Sequence, residues 1–115
     1  MIRATTPKHI FYFESDPSVY SRILITYQQN GKTVLEKTKD DLTIEEAPAP
    51  CDETKTVYAA WFRLTQEETK LFKAEAGQQV AVQVRVLTTA NEALASDTNY
   101  FRVQDVLNDE VLVCD

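Results

Sequence analysis

From Gln78 the chain reads Gln-Gln-Val-Ala-Val-Gln-Val-Arg-Val-Leu, so that Val80, Val82, Val84 and Val86 alternate with Ala81, Gln83, Arg85 and Leu87. Apolar residues at every second position line one face of a pleated strand, and β-branched side chains pack well there. A half-buried strand of this kind needs partners, and the sequence supplies one at once. After the turn signals of Thr88 to Ala93, Leu94 to Val103 returns antiparallel to the valine strand. Phe101 and Val103 belong on the core face of that return, yet strict alternation would put Asp97 and Asn99 there too. A β-bulge or an edge is therefore expected near Asp97 to Asn99.

The remaining segments also read as strands. Ile10 to Glu14 is short and aromatic, with Phe11 and Phe13 on one face and Ile10 and Tyr12 on the other. It ends where Asp16-Pro17-Ser18 removes a donor and fixes φ. Val19 to Gln28 follows, then Asn30-Gly31, a dipeptide that tolerates the positive φ angles of a type I′ hairpin turn. A two-residue loop would pair Tyr27 with Val34 and Ile25 with Glu36. A three-residue loop with a bulge would pair Tyr27 with Leu35 and Ile25 with Lys37. Neither register buries a clean apolar set, so Thr33 to Thr38 is expected near an edge, where lysines discourage pairing with another chain. Leu42 to Glu45 reads as a short fourth strand, and the proline-bearing stretch Ala47 to Thr54 as an exposed loop. Thr56 to Leu64 is the fifth strand, with Tyr58, Ala60, Phe62 and Leu64 on one face and Val57, Ala59, Trp61 and Arg63 on the other. Thr65-Gln-Glu-Glu is a capping box that predicts a short helix, with Gly77 as its natural stop.

Composition narrows the function classes. A chain of 115 residues makes one domain, and 43% apolar with 26% charged residues is the balance of a globular protein rather than a disordered one. Eighteen acids against twelve bases give a net charge of −6, which opposes binding to nucleic acid or an anionic membrane. Lys32 to Lys39 is the densest basic stretch, but Glu36, Asp40 and Asp41 interleave with it, as on a solvated strand face. No run has the length of a signal-peptide core or a membrane span, so the chain is expected to be made in the cytoplasm and to stay soluble. Cys51 and Cys114 read as free thiols, and two cysteines with one histidine do not make a zinc site.

No catalytic or cofactor constellation stands out. With two glycines in the chain a phosphate-cradling loop is implausible, and the usual nucleophile, nucleotide and metalloprotease motifs are absent. An enzyme is not expected, nor a bound cofactor or metal. His9 reads as a solvated side chain near the N-terminus. The acid pairs Asp40/Asp41, Glu45/Glu46, Glu67/Glu68 and Asp109/Glu110 lack the spacing of calcium or glycosidase carboxylates. Trp61 with Tyr58, Tyr12 or Tyr20 fits a carbohydrate platform, a protein-interface anchor or a second layer of core. Residues 104–115 form an acidic, aliphatic tail beyond a sandwich domain spanning 1–103. Its Val106, Leu107, Val111 and Leu112 suit a docking peptide that adds to a neighbour's sheet, ahead of packing on its own domain or fraying.

Several stretches together have a familiar outline: Met-Ile-Arg-Ala-Thr-Thr-Pro-Lys-His-Ile-Phe, Tyr-Gln-Gln-Asn-Gly-Lys-Thr-Val-Leu-Glu-Lys, Leu-Thr-Gln-Glu-Glu-Thr, Val-Gln-Val-Arg-Val-Leu-Thr-Thr, Ala-Leu-Ala-Ser and Leu-Asn-Asp-Glu-Val-Leu. Over nearly its whole length the chain resembles small proteins of Firmicutes phages and prophages, which are similar to the N-terminal β-sandwich of phage baseplate upper proteins. Ala47 to Lys55 departs from that pattern, and Ala4 and Ala90 stand where glycine is expected. The resemblance implies a virion or assembly role through surfaces and supplies no catalytic residue.

The pattern of short strands, turns and one capped helix predicts an all-β, immunoglobulin-like antiparallel β-sandwich of about seven strands with one short crossover helix. The expected function is that of a non-enzymatic phage or prophage structural protein of tail or baseplate type. It would act through protein contacts, including with itself, at sheet edges, Trp61 and the tail, and would be incorporated into a virion. The rival readings are a carbohydrate- or host-surface-binding module and a small regulatory protein acting on a host enzyme.

Overall fold

The computed structural model describes residues 1–2, 4–73, 79–96 and 98–103. Its elements run β1 (Lys8–Phe13), β2 (Arg22–Gln29), β3 (Lys32–Thr38), β4 (Thr43–Ala49), β5 (Asp52–Arg63), α1 (Gln66–Lys70), β6 (Gln79–Leu87), β7 (Ala93–Ala95) and β8 (Asn99–Arg102). Two antiparallel sheets result. One has the order β1-β5-β4, and the other β3-β2-β6 with β7 and β8 completing it along the far side of β6. The fold is an immunoglobulin-like β-sandwich, with α1 as the crossover from one sheet to the other.

The local signals act as their physics requires. In α1 the backbone N–H of Glu68 donates to Thr65 Oγ1 at 3.1 Å while Glu68 Oε1 accepts from the Thr65 N–H at 2.9 Å, closing the capping box. The helix ends at Lys70, and Gly77 lies outside the described residues. Asn30 and Gly31 take φ of 56° and 75°, a two-residue turn that pairs Gln29 with Lys32. One step further on, an extra residue in β3 shifts the ladder, so that Tyr27 pairs with Leu35 and Ile25 with Lys37. The bulge keeps Ile25 and Tyr27 fully buried while β3 remains the sheet edge.

The return strand breaks where expected. Arg85 pairs with Ala95 and Leu87 with Ala93, whereas Val82 pairs with Asn99 and Val80 with Phe101. One additional residue between the two ladders reverses the phase of alternation and turns Phe101 towards the core opposite Val80. That split is why the sandwich has eight strands. Ser96 covers the gap, with its Oγ accepting from the Val84 N–H at 3.0 Å and its own N–H donating to the Val84 carbonyl at 2.8 Å.

Ile23, Ile25 and Tyr27 of β2, Phe62 and Leu64, and Val80, Val82 and Val84 of β6 form the core, joined by Phe72 and Val103. Gln29 is buried and holds the chain after α1 from both sides: its amide donates to the Lys73 carbonyl at 2.6 Å, and its oxygen accepts from the Lys73 N–H at 2.7 Å.

Three local expectations are corrected. Ala47 to Thr54 is not a loop: β4 continues to Ala49 and β5 starts at Asp52. The Leu64 N–H donates to the Pro7 carbonyl, which sets the phase of hydrogen bonding along β5, so the missing N–H of Pro48 opposite Thr56 points away from its neighbour. Pro48 is therefore compatible with an edge strand. Second, Pro17–Val19 is a 3-10 turn capped by Asp16, and β2 begins only at Arg22, leaving Val19 exposed. Third, β1 begins at Lys8, which places His9 on the inner face rather than in solvent.

Candidate interface at the open edge of the sandwich

In an immunoglobulin-type sandwich one sheet carries strands A, B, E and D and the other C, F and G, with C′ added in some. Here β1, β5 and β4 take the places of B, E and D, while β2, β6 and β7 with β8 take those of C, F and G, and β3 is C′. No strand among the described residues lies in the position of A. Met1 reaches the β8 edge, its amino group donating to the Arg102 carbonyl at 3.0 Å, and among the described residues no strand pairs with the outer edge of β1.

β1 faces two environments. His9, Phe11 and Phe13 point inward, and Lys8, Ile10 and Tyr12 outward. His9 Nδ1 lies 2.6 Å from the Tyr27 hydroxyl, and its ring packs within 6.0 Å of those of Tyr27, Phe62 and Phe101. Burial, assisted by the N-terminal amino group, pushes the His9 imidazole below its usual pKa. Burial, with the nearby Glu68 carboxylate, pushes the Tyr27 phenol up. His9 thus serves as a neutral partner for a core tyrosine. Burial also disfavours the Glu68 charge, but hydrogen bonds from Lys37 and the Thr65 N–H outweigh it and hold the carboxyl below its usual range.

Past His9 the two sheets part. Phe11, Phe13 and Tyr20 on one side and Val84, Val86 and Leu94 on the other enclose a groove of about 450 Å³. Its described lining carries no charge. Ile10 is 41% exposed, Tyr12 49% and Leu94 52%, so the mouth is as apolar as the walls. An open strand edge beside an apolar groove is suited to an extended polypeptide, with main-chain hydrogen bonds on the edge and side chains in the groove.

Trp61 lies on the outer face of the same sheet, opposite Ile10 on one side and Thr43 on the other. It is half-buried, the Lys8 ammonium sits 4.1 Å from its ring centre, and its buried indole N–H finds no acceptor among the described residues. The four rings considered for a carbohydrate platform do not share a face: Tyr12 and Trp61 are outward, Tyr58 is on the inner side of β5 opposite Phe13, and Tyr20 lines the groove. Val106, Leu107, Val111 and Leu112 lie outside the described residues, as does Cys114. Cys51 is an exposed free thiol at the β4–β5 turn.

Sequence reasoning named Tyr12 only beside Trp61 and missed Ile10 and Leu94. A signal was present, since His9 to Phe13 is an aromatic and apolar run without an acid, lysine or arginine, but which strands form edges is a property of the assembled sheets. Among the described residues no group of three or more His, Cys, Asp or Glu side chains is placed to hold a metal ion. No helix among them is long and apolar enough to cross a membrane. Comparison with protein-family models gives no match, and comparison with curated proteins gives none either.

Proposed function

We propose that this chain is a non-enzymatic structural or assembly protein of a phage or prophage tail or baseplate, working through protein contacts at its open edge. The observation that carries the reading is the outer edge of β1, which no described strand pairs, beside a groove whose described lining is uncharged, flanked by exposed Ile10, Tyr12 and Leu94. A large apolar patch on a small protein marks an interaction surface. The sequence resemblance to baseplate-type sandwich proteins supplies the setting. The test is to induce particles from the strain that carries the gene, purify them through a density gradient and probe them by immunoblot and mass spectrometry. The chain should co-purify with particles in a fixed ratio to a tail component; its presence only in the cleared lysate would sink the virion reading.

A carbohydrate-binding module is the second reading, favoured by the shared outer face of Tyr12 and Trp61. Titration with a panel of host-wall oligosaccharides, followed by Trp61 fluorescence, separates the two. No change at millimolar sugar would exclude it.

A further inference from the structure

Among the described residues the sandwich exposes four sheet edges, and three are guarded. β3 is bulged and carries Lys32 and Lys37. β4 carries Glu45, Glu46 and Pro48, and its ladder shifts at Pro48/Ala49. The β7–β8 edge is split by its one-residue shift and touched by Met1 at Arg102. These are the devices by which sheet proteins prevent edge-to-edge pairing. β1 has only Lys8 at its first position: it is a six-residue strand, regular in register and uncharged from His9 to Phe13.

The phase of its free hydrogen-bonding groups is fixed. Because Leu64 N–H bonds the Pro7 carbonyl, the odd-numbered residues of β1 exchange hydrogen bonds with β5, and Lys8, Ile10 and Tyr12 direct theirs outward. An antiparallel partner strand must then match even positions to even positions. For a second copy of the same strand, one such register sets Phe11 on the two-fold axis. It pairs Ile10 with Tyr12 of the second copy and Lys8 with Glu14 of the second copy, and symmetry repeats both pairs on the other side. Glu14, in the bend just after β1, is exposed and meets no cation of its own chain among the described residues, so the charge at the start of the strand and the charge just past its end complement each other across the axis. The neighbouring even registers bring Lys8 against Tyr12, or Ile10 against Glu14, and lose that match.

We infer that the occupant of the open edge is a second copy of this chain, joined β1 to β1 in this antiparallel register to make one continuous six-stranded sheet. The pairing is self-complementary, as a two-fold interface must be. It covers Ile10 and Tyr12 of both copies and brings the two grooves together beneath Phe11. The inference rests on the reading of the open edge as a protein interface and names its partner.

Charge exchange at the strand ends tests it on the full chain. Sedimentation equilibrium at low salt should show a dimer for the native protein. Lys8→Glu opposes Glu14 of the second copy with a like charge, and Glu14→Lys opposes Lys8 likewise, so each should weaken dimerisation at least tenfold. The double exchange K8E/E14K restores opposite charges and should recover affinity to within a few fold. Tyr12→Pro removes one outward N–H without touching the β5 ladder, so it should yield a monomer whose circular dichroism is unchanged. A native protein that stays monomeric at millimolar concentration overturns the inference, as does a dimer indifferent to the single reversals or not rescued by the exchange. A monomer that still co-purifies with particles defeats only the second-copy partner, whereas a β1-paired dimer absent from particles defeats only the virion role.

Discussion

Where α1 and β8 close the sandwich, Tyr27, Phe72 and Phe101 meet edge to face with ring centres 5.9 to 6.3 Å apart. Where β1 and β7 part, at Phe13 and Leu94, a groove of about 450 Å³ remains. The same two strands, β2 and β6, serve both ends, through Tyr27 and Val80 at one and the Ile23–Val86 pair towards the other. The difference lies in what caps them. At the closed end the crossover drops Phe72 into the core, Gln29 fixes the backbone behind it and His9 occupies the Tyr27 hydroxyl. At the open end nothing within the described residues fills the space between the sheets. Stability is thereby concentrated at one end, which leaves the other free to present apolar surface.

Removing the plug attacks this contrast most directly. Phe72 is fully buried and touches two other rings, so Phe72→Ala should cost about 3–5 kcal/mol in chemical denaturation. A loss below about 1 kcal/mol would mean that the closed end is not where the fold is held. Gln29→Ala comes next. It leaves the Lys73 N–H and carbonyl without their side-chain partners in a partly buried site, at a cost of about 1–3 kcal/mol. Amide hydrogen exchange should report it locally, with faster exchange at Lys73.

The His9–Tyr27 pair makes the closed end sensitive to acid. The unfolded imidazole binds a proton near pH 6.5 while the folded one resists it, so stability should be complete above that pH and decline as pH falls through it towards the lower folded value. His9→Phe leaves the Tyr27 hydroxyl unpartnered, costing about 0.5–1.5 kcal/mol at pH 7.5. Since the variant has no imidazole to protonate, its deficit should narrow between pH 7 and 5. Denaturation midpoints at several pH values decide the matter, and a deficit that stays constant across that range would rule out the imidazole as the source.

How much of this was written locally in the chain differs between the two ends. The capping box of Thr65 and Glu68, the Asn30-Gly31 turn and the phase break before Phe101 each depend on a few neighbouring residues, so sequence alone placed them. So did the valine face of β6, and with it the all-β sandwich. The open edge was harder to see, because Ile10, Phe11, Tyr12 and Phe13 make both faces of β1 apolar and leave the phase undecided. The direction of His9 was lost with it. Pro48 misled in a similar way: proline blocks a central ladder but not the solvent side of an edge, and only the assembled order β1-β5-β4 shows which applies. Trp61 was singled out by residue type and by its place on the less apolar face of its strand, and the structure sets it one strand in from the edge with Lys8 over its ring.

The smallest stability effect is expected at the open end, and its smallness is the point. Leu94 is more than half exposed on the lip of the groove, so Leu94→Ser removes little area that the monomer buries. Exposed positions of this kind change stability by no more than about 0.5 kcal/mol. The same substitution places a hydroxyl where an apolar partner surface would lie, so any association of the chain should weaken. The comparison with Phe72→Ala is then quantitative: one variant unfolds readily, while the other folds as the native protein does and binds less well. Paired measurements of denaturation midpoint and solution mass on both variants test it. If Leu94→Ser lowered stability by as much as Phe72→Ala, the lip would belong to the core and the distinction between a holding end and a presenting end would fail.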